Sequence, residues 1–143
     1  MASGLPDYQK EIRPRYGGAQ RQTDTVCVNP DLVTELLAIT GKGMIYGGVV
    51  FLEPGASQVN SMVYLFVDGK WIGGMSFAKL NKYGINKPQV YPSFELKYDT
   101  VNHIYCCGIS PGITFESSFQ LKYFEWHGNN PSVIFDVYYT LIG

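Results

Sequence analysis

From Ile113 to Phe124 the chain alternates apolar and polar residues almost without error. Ile113, Phe115, Phe119, Leu121 and Tyr123 fall on one side, and Thr114, Glu116, Ser118, Gln120 and Lys122 on the other. Only Ser117 interrupts the apolar side. A period of two belongs to a β-strand with one face in a core and one in water, the usual state of strands in antiparallel sheets. Val133 to Ile142 repeats the pattern, with Val133, Phe135, Val137, Tyr139 and Leu141 expected inward. Ser93 to Tyr98 does so again, with Phe94, Leu96 and Tyr98 sharing a face.

The punctuation between such runs is that of turns. Asn60 to Val67 is followed by Asp68-Gly69 and the return run Lys70 to Phe77. Asp-Gly suits a two-residue type I′ hairpin, because both central residues take positive φ. Gly47-Gly48 lies inside the run Met44–Leu52 and Gly73-Gly74 inside the return run, where paired glycines mark a bulge or a close backbone approach. His103 to Ile109 reads as a further strand. Leu32 to Thr40 has two readings. Asn29 and Pro30 suit a helix start, whereas Val33, Glu35, Leu37 and Ile39 alternate with their neighbours and favour a strand. Ala78 to Pro92 has no clean period and reads as a long connection.

These runs amount to roughly eight or nine strands with no long helix, which leaves an antiparallel sandwich, jelly rolls included, or a closed barrel. The expectation is an all-β, jelly-roll-like antiparallel β-sandwich over residues 25–143. Residues 1–24 differ. They hold every arginine of the chain (Arg13, Arg15, Arg21), two prolines and Gly17-Gly18, and no apolar period. They read as an extended arm, either a loose tail or a segment that docks on a neighbour through Tyr8, Ile12 and Tyr16, with Arg13 and Arg15 beside them. The spacing of Tyr8, Ile12 and Tyr16 also allows a short amphipathic helix before Pro14 interrupts it.

Composition narrows the function. Of 143 residues only 16% are charged, below the roughly 25% usual for soluble domains. A net charge of −1 gives no basic surface for a nucleic-acid partner. No window approaches the roughly 20 apolar residues of a membrane-spanning helix, and Met1 to Gln20 lack the apolar core of a signal peptide, so synthesis in a cytoplasm is expected. Cys27, Cys106 and Cys107 are too few and too close for a disulfide framework, and adjacent Cys106 and Cys107 point to opposite faces of a strand.

Reactive side chains are few. The histidines are His103 and His127. His103 and Cys106 are three apart, an odd spacing that separates them across a strand, and His127 sits in a polar turn near Glu125 and Asp136. The acidic residues are scattered, and no zinc or calcium spacing is present. No enzyme activity, cofactor or metal is expected. Trp71 and Trp126 are candidates for stacking on a sugar ring, weighed against core packing or a subunit interface, where aromatics also concentrate.

Three segments carry a resemblance. Leu36-Leu37-Ala38-Ile39-Thr40-Gly41-Lys42-Gly43-Met44-Ile45-Tyr46-Gly47-Gly48, Leu65-Phe66-Val67-Asp68-Gly69-Lys70 and Ile113-Thr114-Phe115-Glu116-Ser117-Ser118-Phe119-Gln120-Leu121 resemble small structural proteins of tailed-bacteriophage virions. Ser3 to Tyr8 and Arg13 to Gly18 look like the N-terminal arms of such proteins. The resemblance implies a non-enzymatic virion component made in the host cytoplasm, either a capsid decoration or accessory protein or a tail component. It implies a homo-oligomer, with a trimer as the working expectation, that contacts capsid or tail proteins. The alternative is a glycan-binding module at a receptor-binding tip, using Trp71 and Trp126.

Overall fold

The computed structural model describes residues 19–30, 32–52, 58–128 and 131–142. Among them are ten strands and one short helix. In chain order the strands are β1 (Gln20–Cys27), β2 (Val33–Thr40), β3 (Gly43–Leu52), β4 (Met62–Val67), β5 (Lys70–Ser76), β6 (Ser93–Asp99), β7 (Ile104–Ile109), β8 (Ile113–Phe115), β9 (Ser118–Phe124) and β10 (Ser132–Leu141). Helix α1 (Phe77–Lys82) follows β5.

The larger sheet runs β1-β10-β3-β7-β6, with β8 also paired to β3, and the smaller runs β2-β9-β4-β5. Every pairing is antiparallel. The partners are nested: β1 with β10, β2 with β9, β3 with β8, β4 with β5. A long hairpin wound on itself across two layers in this way is a jelly roll. The sandwich expected from the periodicity is therefore the fold.

The core lies between the sheets. From the smaller sheet it takes Leu37, Ile39, Val63, Leu65, Phe119, Leu121 and Tyr123; from the larger, Ile45, Val50, Tyr105, Cys107, Ile109, Val133, Phe135 and Val137. Fully burying one such aliphatic or aromatic side chain is worth about 1.5–3 kcal/mol.

Five differences from the sequence reading have physical causes. First, Ile113 to Phe124 is two strands: Ile113–Phe115 stays in the larger sheet, and Ser118–Phe124 crosses to the smaller. This split raises the count from the expected eight or nine to ten. The apolar side stays in phase because both segments face the same core, so only Ser117, at the corner, betrays the crossing.

Second, the boundary expected after Asp24 falls inside β1, whose Gln20 to Asp24 pair with Tyr139 to Phe135. β1 has no apolar period because it is an edge strand of the larger sheet, and seven of its eight residues are exposed. The assigned arm contacts Tyr8, Ile12, Arg13, Arg15 and Tyr16 lie outside the described residues.

Third, the alternation of β2 breaks at a bulge between Glu35 and Leu37. Val33 and Glu35 are exposed while Leu37 and Ile39 point inward, and Leu36 is buried as the extra residue. The strand reading of this segment holds and the helix reading does not.

Fourth, α1 stands where a connection was expected. The Ser76 hydroxyl caps it by accepting the Lys79 N–H at 3.1 Å. Phe77 and Leu80, one turn apart, are its buried residues. One apolar turn is too short to register as a period.

Fifth, β6 is out of phase with its apparent alternation. A bulge between Glu95 and Lys97 opposes Glu95 to Cys107 on the inner face, and Phe94 to Gly108 on the outer. Phe94 and Leu96 therefore line the outside of the sheet rather than the core.

The Asp68-Gly69 turn is as read, with φ of 53° and 79°. Both glycine pairs sit at bulges: Tyr46 is the extra residue between the Tyr138–Gly47 and Tyr139–Ile45 pairs, and Ile72 between Leu65–Gly73 and Phe66–Trp71.

Candidate functional site

The outer face of the larger sheet carries a groove of about 630 Å³. Its floor includes Gly47 and Gly48 of β3, and its walls are Tyr46 and Val49 (β3), Tyr138 and Asp136 (β10), Phe94 and Leu96 (β6), Pro88 and Pro111. The backbone dictates this shape. The bulge at Gly47, where φ is 150°, projects Tyr46 beside a stretch that has no side chain. At Gly108 a Cβ would come within 2.3 Å of the Phe94 ring, so the ring rests directly on the β7 backbone. A glycine that lets an aromatic ring lie across the sheet is a packing device, here used to build a groove wall.

One end of the groove is polar and fixed. Arg21 of β1 binds Asp136 bidentately, through Nε at 2.8 Å and a terminal nitrogen at 2.6 Å. Its guanidinium also lies 5.6 Å from the centre of the Tyr138 ring. Fork-to-fork pairing of this kind fixes both groups in place. The remainder of the lining is apolar or aromatic, with no base or nucleophile positioned over it.

The smaller sheet also shows aromatics outward. Tyr64 and Phe66 of β4 and Phe124 of β9 are half-buried, and Lys122 Nζ lies 4.6 Å from the Phe66 ring centre. The two tryptophans singled out in the sequence are both exposed, Trp71 by 57% and Trp126 by 56%. They are not neighbours. Trp71 pairs with Phe66 at one end of the sheet, while the Trp126 N–H donates to Ser61 Oγ at the other. At about 3.3 Å per strand residue their roots are roughly 15–20 Å apart, so no single sugar ring spans them. Neither lines the groove.

His127 occupies a structural position. His127 Nε2 accepts the Asn60 N–H at 2.9 Å, and the His127 N–H donates to Glu125 Oε1 at 3.0 Å. This turn closes over buried Gln58, Ser61 and Glu125. The Ser61 hydroxyl donates to Gln58 Oε1 at 2.8 Å, and the Tyr123 hydroxyl donates to the same oxygen at 3.3 Å. Burial pushes the Tyr123 phenol up, which keeps it a neutral donor. His103 is in the turn before β7, at φ 55°, not in the strand with Cys106.

Cys106 and Cys107 point to opposite faces as expected, with Cys107 the more buried. Burial pushes the Cys106 thiol up to about 11 and Cys107 higher still, the state of inert thiols. Among the described residues no group of three or more His, Cys, Asp or Glu is placed to hold a metal ion, and no helix is long and apolar enough to cross a membrane.

The groove is hidden in the sequence because Phe94, Leu96 and Tyr98 alternate as one face, while the bulge between Glu95 and Lys97 puts Phe94 and Tyr98 on opposite sides of the sheet. The available signals were Gly108, within a strand at β7, and Gly47-Gly48, read as a bulge without a consequence. In comparisons with known proteins, the chain matches no family model and no curated sequence.

Proposed function

We propose that this protein is a non-enzymatic structural component of a tailed-phage virion, a capsid decoration, accessory or tail protein that works through subunit–subunit contacts. The observation that carries this reading is that the outward faces of both sheets bear aromatic side chains: Tyr46, Phe94 and Tyr138 on one, Tyr64, Phe66 and Phe124 on the other. An antiparallel sheet face meant for water alone is predominantly polar. Interface cores, by contrast, concentrate aromatics and are depleted in charge, in keeping with the 16% charged residues of this chain. Jelly rolls recur in viral capsid domains, an analogy of fold that agrees with the reading without carrying it. The N-terminal arm, with Arg13, Arg15 and Tyr16, is the second contact element, and a closed trimer is the expected assembly. Native mass spectrometry of the full chain tests this. A stable oligomer that co-sediments with capsids or tails is the expected result, and a monomer at micromolar concentration that binds neither overturns it.

A second reading has its own observation, the exposure of both indoles. Jelly rolls also serve as lectin domains, and Trp71 or Trp126 is available to stack on a pyranose ring. In this reading the protein is a glycan-binding module at a receptor-binding tip. A glycan array without a hit that is lost in Trp71→Ala or Trp126→Ala removes it.

A further inference from the structure

We infer that the groove on the outer face of the larger sheet receives the Arg13-Pro14-Arg15-Tyr16 segment of a neighbouring copy. The inference rests on the assembly reading above and gives that assembly its contact. The groove has the chemistry of a site for an extended, proline-bearing segment: aromatic walls at Tyr46, Phe94 and Tyr138, with Pro88 and Pro111 beside them. Such walls hold a proline ring flat, and proline-containing segments enter them already extended and at low entropic cost. The same walls hold a guanidinium, as Arg21 over Tyr138 demonstrates at 5.6 Å. Eighteen residues precede the first described one, and within them Pro14 lies between two arginines and is followed two residues later by Tyr16. Nowhere else does the chain contain an arginine next to a proline.

The donor is a second copy for a reason of direction. β1 enters the sheet at Gln20, opposite Tyr139. Its axis, followed backwards, points past Leu141, whereas the groove lies the other way, at Tyr138 and Asp136. The Arg21 side chain, clamped on Asp136 and over Tyr138, stands as a wall between β1 and the groove floor. The side away from that wall is formed by Leu96 and Pro88, and Leu96 is 49% exposed. A neighbour's segment has open access there. A contact in which one copy's arm fills the next copy's groove is heterologous, and it closes into a ring when the rotation allows.

The test uses the full-length chain with p-benzoylphenylalanine in place of Tyr16, made in light and heavy-isotope forms and mixed before irradiation. Cross-linked peptides joining position 16 to β3, β6 or β10, with light–heavy pairs among them, are expected. Cross-links found only within one chain, or to other surfaces, overturn the inference. In a second arm Leu96→Lys, at an exposed position, sets a positive charge against the incoming Arg13 and Arg15 and is expected to weaken self-association by more than about tenfold, with thermal stability unchanged. If the wild type assembles and Leu96→Lys assembles equally well, this inference fails and the assembly reading stands. If the wild type is a monomer, the assembly reading fails and takes this inference with it.

Discussion

Asp68 Oδ1 accepts the backbone N–H of Ser117 at 2.7 Å, joining a hairpin turn to a corner 49 residues away. The same carboxylate accepts the N–H groups of Glu116 at 3.1 Å and Ser118 at 3.0 Å, and the Ser117 hydroxyl at 3.0 Å. These are the donors left unpaired where the chain leaves β8 in one sheet and enters β9 in the other. A residue chosen for its turn conformation thus also supplies the acceptor for the crossing.

Those hydrogen bonds hold the Asp68 carboxyl down at about 2. A carboxylate whose folded value lies below its unfolded value, about 3.9, stabilises the fold fully above the unfolded value. It loses that contribution as pH falls through the folded one. Asp68→Ala is therefore expected to lower the melting temperature by a constant amount above about pH 5. The gap to wild type narrows between about pH 4 and 2, leaving the pH-independent cost of alanine at a φ of 53°. Melting curves by circular dichroism across that range check this; a gap unchanged at pH 2 contradicts it.

Leu121, fully buried between the sheets, is expected to cost about 2–5 kcal/mol when changed to alanine, from lost burial and the cavity left behind. Trp71→Ala, at an exposed position, is expected to stay within about 0.5 kcal/mol of wild type. Urea midpoints at equal m-value measure both.

Gly108→Ala places a methyl group within 2.3 Å of the Phe94 ring and is expected to destabilise by about 1–3 kcal/mol. Removing the ring relieves the conflict, so Gly108→Ala is expected to cost less in a Phe94→Ala background than in wild type. A double-mutant cycle reads this coupling, and strictly additive values would refute the contact.

Of the three cysteines only Cys27 is exposed. A thiol reagent at pH 8 is expected to label Cys27 rapidly. Cys106, held at about 11, is expected to react slowly, and buried Cys107 only after unfolding. Time-resolved labelling with peptide mapping distinguishes the three.

Much of the fold was legible in the residues because the two-residue period reports which side of a strand meets a core. Ser118 to Phe124 and Val133 to Tyr139 read correctly for that reason, although Leu141, expected inward, is exposed where β10 ends, and the hairpin at Asp68-Gly69 because its dihedrals demand those residues. The period is silent in two situations, and both occurred. β1 is exposed along most of its length, with only Val26 packed against the core, so its residues show no period. At the bulges of β2 and β6 one extra residue reverses the phase, and a reader who keeps counting places Phe94 and Leu96 on the wrong side. The groove was hidden by that reversal. The exposure of Trp71 and Trp126 was equally unreadable, since a lone tryptophan, whether in a strand like Trp71 or just past one like Trp126, has the same sequence signature in a core and on a surface.

The nested pairing of the strands also sets an order of events for the chain. Asp68-Gly69 closes β4 on β5 across two residues, whereas Arg21 meets Asp136 only after 115 residues of chain have been gathered. Loops that long are closed late in folding and slow the whole process. The β1–β10 seam is thus the last to be stitched and, at the edge of the larger sheet, the first to open. Its amides should exchange with solvent well ahead of those in β4 and β9.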